Sequence, residues 1–175
     1  MLLSDLGAEV IRVESINKHI VNTRGFFPKP TRAMADTLGT LGGLYVGGEP
    51  GEAPWNRHAL FNGLGRNRYS MTVDLLREGG REVIHDLVKV CDVLVDNDSA
   101  GLLDSFGIDY ETVRALNPTI VYVSMPIFGH EGPYKDYIGF GANAEGMAGL
   151  SSLRGYLGSD PTSSGMTNHM DASSG

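Results

Sequence analysis

YSMTVDLLREGGREVIHDLVKVCDVLVD, residues 69–96, holds two strands and the helix between them. Tyr69–Leu75 (YSMTVDL) alternates apolar and polar side chains and reads as a strand. From residue 78 the period changes. Val83, Ile84, Leu87, Val88 and Cys91 share one helical face, which predicts an amphipathic helix over 78–90. Asp92–Asp96 (DVLVD) is a short strand of the buried type. A parallel partner needs a crossover connection, usually a helix, so this run predicts a parallel sheet.

The same alternation continues on both sides. Asp109 is placed to N-cap a helix through Leu116, with Pro118 just past its end. Thr119–Met125 (TIVYVSM) reads as the next strand, and 142–153 as a helix with Met147 and Leu150 inward. Upstream, Leu2, Leu3 and Leu6 share a helical face that Gly7 terminates, and Glu9–Glu14 (EVIRVE) alternates as a strand. A sheet that starts on half a helix is expected to have an earlier strand ahead of residue 1. The fold expected is α/β: a partial Rossmann-like parallel sheet with flanking helices, missing its first strand. Ligands in such sheets sit at the carboxyl ends of strands, here Asp74–Leu76, Asp96–Ser99 and Met125–Phe128. Residues 15–60 are rich in Gly and Pro and read as one long loop, with Trp55 and Phe61 anchoring its far end.

Composition narrows the function. Hydrophobic residues make up 41% and charged residues 20%, enough for a buried core. The net charge of -7 argues against a nucleic-acid binder, which needs a basic surface. No apolar run approaches the roughly 18 residues of a membrane span, and Asp5 and Glu9 interrupt any signal-peptide core. Cys91 is the only cysteine, so no internal disulfide forms and a reducing cytoplasm is expected.

Four groups of residues have a chemical reading beside a plain one. Asp171 ends a Gly/Ser-rich stretch and is followed by Ala172, Ser173, Ser174 and Gly175; it reads as a helix N-cap or as a carboxylate nucleophile with room for a bulky ligand. His169 reads as a polar loop residue. Asn97 ends a strand, as a turn residue or as an amide near a ligand. Arg66, Arg68 and Arg77 form a basic group that suits phosphate or solvent. Neither GxGxxG nor GxxxxGK[ST] occurs in the 39–51 stretch.

Several segments, in order, resemble the class III coenzyme A transferases, the family of formyl-CoA transferase and carnitine CoA-transferase. They are LLSDLGAEVIRVE, Thr23–Arg24, RNRYSMTVDL with GREVIHDLV, DVLVDND, and FGIDYETVRALNPTIVYVSMPIFGHEGPY; GFGANAEGMAGL resembles the turn ahead of the catalytic loop. The resemblance implies that residues 1–175 are the N-terminal part of a large CoA-binding α/β domain and that a second domain follows in complete members. It implies Asp171 as catalytic nucleophile, with Val73, Asp74, Leu75 and Leu76, and Asn97, Asp98 and Ser99, lining the CoA site. The implied reaction moves coenzyme A, as co-substrate and without a metal, from an acyl-CoA to a carboxylic acid through an aspartyl intermediate. Complete members form interlocked homodimers; the piece alone is expected to be inactive.

Departures narrow this further. Ser15, Leu76, Asp98, Ser105 and Ile138 stand where formyl-CoA transferase has basic or aromatic residues, so formate is not supported as the acyl group. The family also contains an acyl-CoA racemase that uses a histidine in a Gly-His-Asp turn. Here the turn reads Gly139-Phe140-Gly141, and phenylalanine exchanges no proton. A racemase and a non-catalytic CoA-binding piece are the alternatives.

Overall fold

The computed structural model describes residues 2–15, 17–20, 23–37 and 44–160. The chain divides between Gly80 and Arg81 into two compact units. The first carries α1 (Leu2–Asp5), β1 (Ile11–Ser15), α2 (Arg32–Thr37), α3 (Pro54–Arg57), α4 (Ala59–Leu64) and β2 (Tyr69–Val73). Helix α5 (Glu78–Val88) crosses the boundary. The second carries β3 (Val93–Asp96), α6 (Tyr110–Leu116), β4 (Val121–Ser124) and α7 (Gly141–Met147).

The architecture is α/β with parallel strands, as the alternation predicts. Among the described residues two separate pairs are found. In the first unit β1 lies parallel to β2, with Ile11 opposite Tyr69 and Ser15 opposite Val73. In the second β3 lies parallel to β4, with Val93 opposite Val121 and Asp96 opposite Ser124.

In the first unit, Gly7 ends α1 in the left-handed region at φ 100°, where a side chain would be strained. Asp5 takes a two-point ion pair from Arg66 (3.1 and 2.6 Å), and the Asn67 amide donates to the Ser4 carbonyl. Asn67 is the one described non-glycine residue at positive φ. This knot ties α1 to the lead-in of β2. Residues 15–60, read from sequence as a loop, instead hold α2, α3, the start of α4 and a 3₁₀ turn at Val46–Gly48. Tyr45 pairs with His58 through one antiparallel bridge, and their rings meet edge to face at 5.4 Å. His58, Pro54, Ala35 and Val73 are buried here.

In the second unit the core is Ile84, Val88, Ile108, Val113 and Ile120. Val83 is exposed, so the apolar face of α5 is narrower than its spacing predicts, and Cys91 is half-buried. Asn117 governs the turn from α6 to β4. Its amide donates to the carbonyls of Val88 and Cys91, both at 2.9 Å, and its oxygen accepts from Thr119. The expected cap of α6 is present: Asp109 accepts from Thr112 N at 2.9 Å and from Thr112 Oγ1 at 2.8 Å. The helix expected over 142–153 breaks. Gly149, at φ 77°, separates α7 from a 3₁₀ turn at Leu150–Leu153. Met147 is consequently exposed rather than inward.

Candidate functional site

Each unit offers the carboxyl end of its strand pair. At the end of β2 the chain turns on Asp74. Asp74 Oδ1 accepts from Leu76 N at 3.1 Å and from Asn17 Nδ2 at 2.8 Å, while Oδ2 lies 3.3 Å from Arg77 Nε. The first contact is an Asx turn, in which a side chain takes the place of a backbone acceptor. Gly80 lies under the turn, where a Cβ would overlap the Asp74 carbonyl oxygen. Val73 is buried, Leu75 half-buried and Leu76 exposed.

At the end of β3 the same device recurs. Buried Asp96 accepts from Asp98 N at 2.7 Å and from Ser124 Oγ, at the end of β4, at 3.0 Å. Asn97, Asp98 and Ser99 follow on an exposed bend. The Asn97 amide and the Ser99 hydroxyl are of the types that donate to a ligand's oxygens. The expected CoA-lining residues therefore form two groups, 73–76 in the first unit and 97–99 in the second. Asp171 and His169 lie outside the described residues.

Beyond the end of β1 an open cleft of about 580 Å³ is lined by Glu14, Lys18, Arg24, Trp55, Ser70 and Thr72, among others. Its base is an ion-pair knot. Arg24 Nε lies 2.8 Å and its terminal nitrogen 2.5 Å from Glu14 Oε2, and Arg12 Nε lies 2.7 Å from Glu14 Oε1. Arg24 also donates to the Trp55 carbonyl (3.2 Å) and to Asn56 Oδ1 (3.0 Å), and stacks 3.7 Å above the Phe61 ring. Phe61 and Trp55 thus anchor the far end of the segment, as the sequence predicts, with Arg24 as the shared partner. Sequence reasoning gave no role to Asn17, Ser124 or the Glu14–Arg24 pair, and marked Asp96 only as the start of a strand-end segment. An aspartate two residues before a chain reversal was the available signal for the Asx turns. The ion pair has none, because its partners are ten residues apart and come together only through the fold.

Among the described residues no group of three or more His, Cys, Asp or Glu could hold a metal ion, and no helix is long and apolar enough to cross a membrane.

The family model for CoA-transferase family III matches residues 1–175. The chain is 31% identical over 165 residues to a succinate–glutarate CoA-transferase of Agrobacterium fabrum, covering 94% of this chain and 37% of the relative. It is 31% identical to a succinyl-CoA–D-citramalate CoA-transferase of Chloroflexus aurantiacus, covering 95% of this chain and 35% of that one. A crystal structure of a CAIB/BAIF family protein from Brucella suis superposes with a TM-score of 0.74 at 33% identity, over 97% of this chain and 39% of its own. The chain thus spans little more than a third of the length of these relatives.

Proposed function

Because the chain belongs to CoA-transferase family III, we propose that the protein moves coenzyme A from an acyl-CoA to a carboxylic acid through a covalent intermediate on Asp171. The observation that carries this reading is the family match along all 175 residues. In the proposed step the Asp171 carboxylate attacks the thioester carbonyl, the C–S bond breaks and CoA thiolate leaves a mixed anhydride. The thiolate then attacks the aspartyl carbonyl and expels the donor acid. The acceptor carboxylate attacks the resulting aspartyl thioester and again releases thiolate. Thiolate attack on the acceptor carbonyl of that second anhydride regenerates Asp171. One difficult transfer becomes a series of easier ones.

Val73–Leu76 and Asn97–Ser99 are the proposed CoA contacts. Asp74 and Asp96 hold the turns that present these segments, in which Leu76, Asn97, Asp98 and Ser99 are exposed. The complete protein is proposed to work as an interlocked homodimer in the cytoplasm.

The test incubates the complete protein with succinyl-CoA and glutarate, the substrates named for relatives, and traps with hydroxylamine. A hydroxamate at Asp171 in the peptide map, absent from Asp171→Asn along with transfer, is the expected result. Transfer undiminished in Asp171→Asn overturns the covalent step. Solvent deuterium entering the α-carbon without CoA transfer points to the racemase instead, and no chemistry at all to a CoA-binding piece.

A further inference from the structure

Helix α7 and the turn after it are built inside out. Glu145, in the helix, is 1% exposed, while Met147 and Leu153 face solvent. A charge taken that far from water needs a partner. Its partner is Arg154, which is 18% exposed and donates a terminal nitrogen to Glu145 Oε2. Between the two the chain reverses. Gly149 leaves the helix in the left-handed region at φ 77°, the Leu150–Leu153 turn follows, and Ser152 Oγ donates to the Gly149 carbonyl at 2.6 Å. Only after that reversal does Arg154 come back to Glu145.

Stability alone does not call for this pair. Well-packed apolar residues of similar volume in place of a buried ion pair are often neutral or stabilising. What the pair adds is direction. A planar guanidinium meets a carboxylate in a narrow set of geometries, whereas apolar side chains tolerate many. The pair therefore fixes the heading of the backbone at Arg154. From that point the chain runs on through left-handed turns at Gly155 (φ 100°) and Gly158 (φ 83°), and its sequence continues to Asp171.

We propose that Glu145 and Arg154 are positioning residues for CoA transfer: their clamp aims the segment that carries the Asp171 carboxylate. This inference rests on Asp171 as the nucleophile. A covalent step needs that carboxylate in near-attack geometry on the thioester carbonyl, and a misplacement of about 1 Å costs on the order of 10²-fold in rate. The clamp anchors the near end of the segment on a charge pair that burial shields from water. Neither residue belongs to the groups proposed to contact CoA. Loss of the clamp therefore lowers kcat and leaves KM for the acyl-CoA in place.

The test compares the complete protein with Glu145→Gln and with the double variant Glu145→Leu, Arg154→Met, after urea unfolding has given the folded fraction of each. The double variant removes both charges together and is expected to stay folded where a single change leaves a charge buried alone. Succinyl-CoA and glutarate are the substrates. In both variants kcat per folded molecule is expected to fall at least about tenfold, with KM for succinyl-CoA within about twofold of the parent. Hydroxamate formation at Asp171 in a single turnover is expected to slow with kcat. Arg154→Lys, which keeps the charge but not the fork, is expected to retain part of the activity that the double variant loses. A role in stability alone predicts a shifted urea midpoint with kcat of the folded molecules unchanged. A folded double variant with the parent's kcat overturns the proposal, as does a loss confined to KM. A parent that transfers nothing, or that transfers without a hydroxamate at Asp171, overturns the reading on which the clamp depends. A parent that is trapped at Asp171 and variants that match it overturn the clamp alone.

Discussion

Replacing Glu14 by glutamine separates charge from shape. Glutamine keeps the length and one acceptor oxygen, so the shape is preserved while the negative charge goes and one oxygen becomes an NH2. The parent carboxylate is 6% exposed and faces Arg24 and Arg12, whose side chains are 11% and 21% exposed. Removing one partner of such a buried pair leaves guanidinium charge with no counter-ion, a loss of about 3–5 kcal/mol. Whole domains are stable by only about 5–15 kcal/mol, so the first unit loses much of its margin. With a urea slope of about 1–3 kcal/mol/M, the midpoint falls by roughly 2 M. Trp55 emission during urea unfolding reads this directly, because the chain's one tryptophan contributes its carbonyl to the Arg24 knot. Exposed Glu52→Gln is the control, with an expected change within about 0.5 kcal/mol. A Glu14→Gln midpoint indistinguishable from that control refutes the view that buried charge balance holds this unit.

Two further predictions concern the second unit. Asp109→Ala removes the cap of α6 and is expected to cost about 1 kcal/mol by urea unfolding. The Thr112 backbone N–H, and then its hydroxyl, hold the Asp109 carboxyl below the usual carboxylate range. A depressed folded value makes this stabilisation present above the unfolded-state value, about 3.9, and lost as pH falls through the folded one. Asp109→Asn therefore flattens the acid limb of the stability curve; an unchanged limb counts against the cap. Burial first, and then the charges of Asp96, Asp104, Asp109 and Asp98, push the Tyr122 phenol up to about 12. The folded chain keeps that proton where the unfolded chain releases it near pH 10, so stability falls between roughly pH 10 and 12. Burial also raises the Tyr45 phenol, so phenolate absorbance should show a latest-titrating component, near pH 12, that disappears in Tyr122→Phe.

What could be read from the sequence had a period or a cap. β2, α5, β3, α6 and β4 all lie where alternation, helical spacing or a cap puts them; α6 keeps the bounds its cap sets, and the others are trimmed by one or two residues at one or both ends. The helices inside 15–60 could not be read that way. α2, α3 and α4 have six, four and six residues, too few turns for an apolar stripe to show. They stand on contacts that form only after folding: Arg32 pairs with Glu49, and Arg57 donates to the Glu49 carbonyl at 3.2 Å. Gly149 misled in the opposite direction. Helical spacing runs through it from 142 to 153, yet its left-handed backbone ends α7 and turns Met147 outward.

The strand ends show why a site is harder to read than a fold. Sequence order places Asp74 and Asp96 where parallel sheets present their ligand-binding loops. A carboxylate there can either face a ligand or take the backbone N–H two residues on, and spacing is the same in both cases. In this chain both take the N–H: Asp74 from Leu76 and Asp96 from Asp98. Each also binds a side chain of its own unit, Asn17 in one case and Ser124 in the other. A carboxylate that accepts two such hydrogen bonds is oriented and partly neutralised, and is therefore suited to fixing a loop rather than to chemistry. Their work is to set the path of residues 75–76 and 97–99, the segments proposed to meet CoA. By the same reasoning a nucleophilic carboxylate must be one that no neighbouring backbone N–H has taken. That is the property which the hydroxylamine trap at Asp171 measures, since a carboxylate held in a cap reacts far more slowly than one open to a thioester.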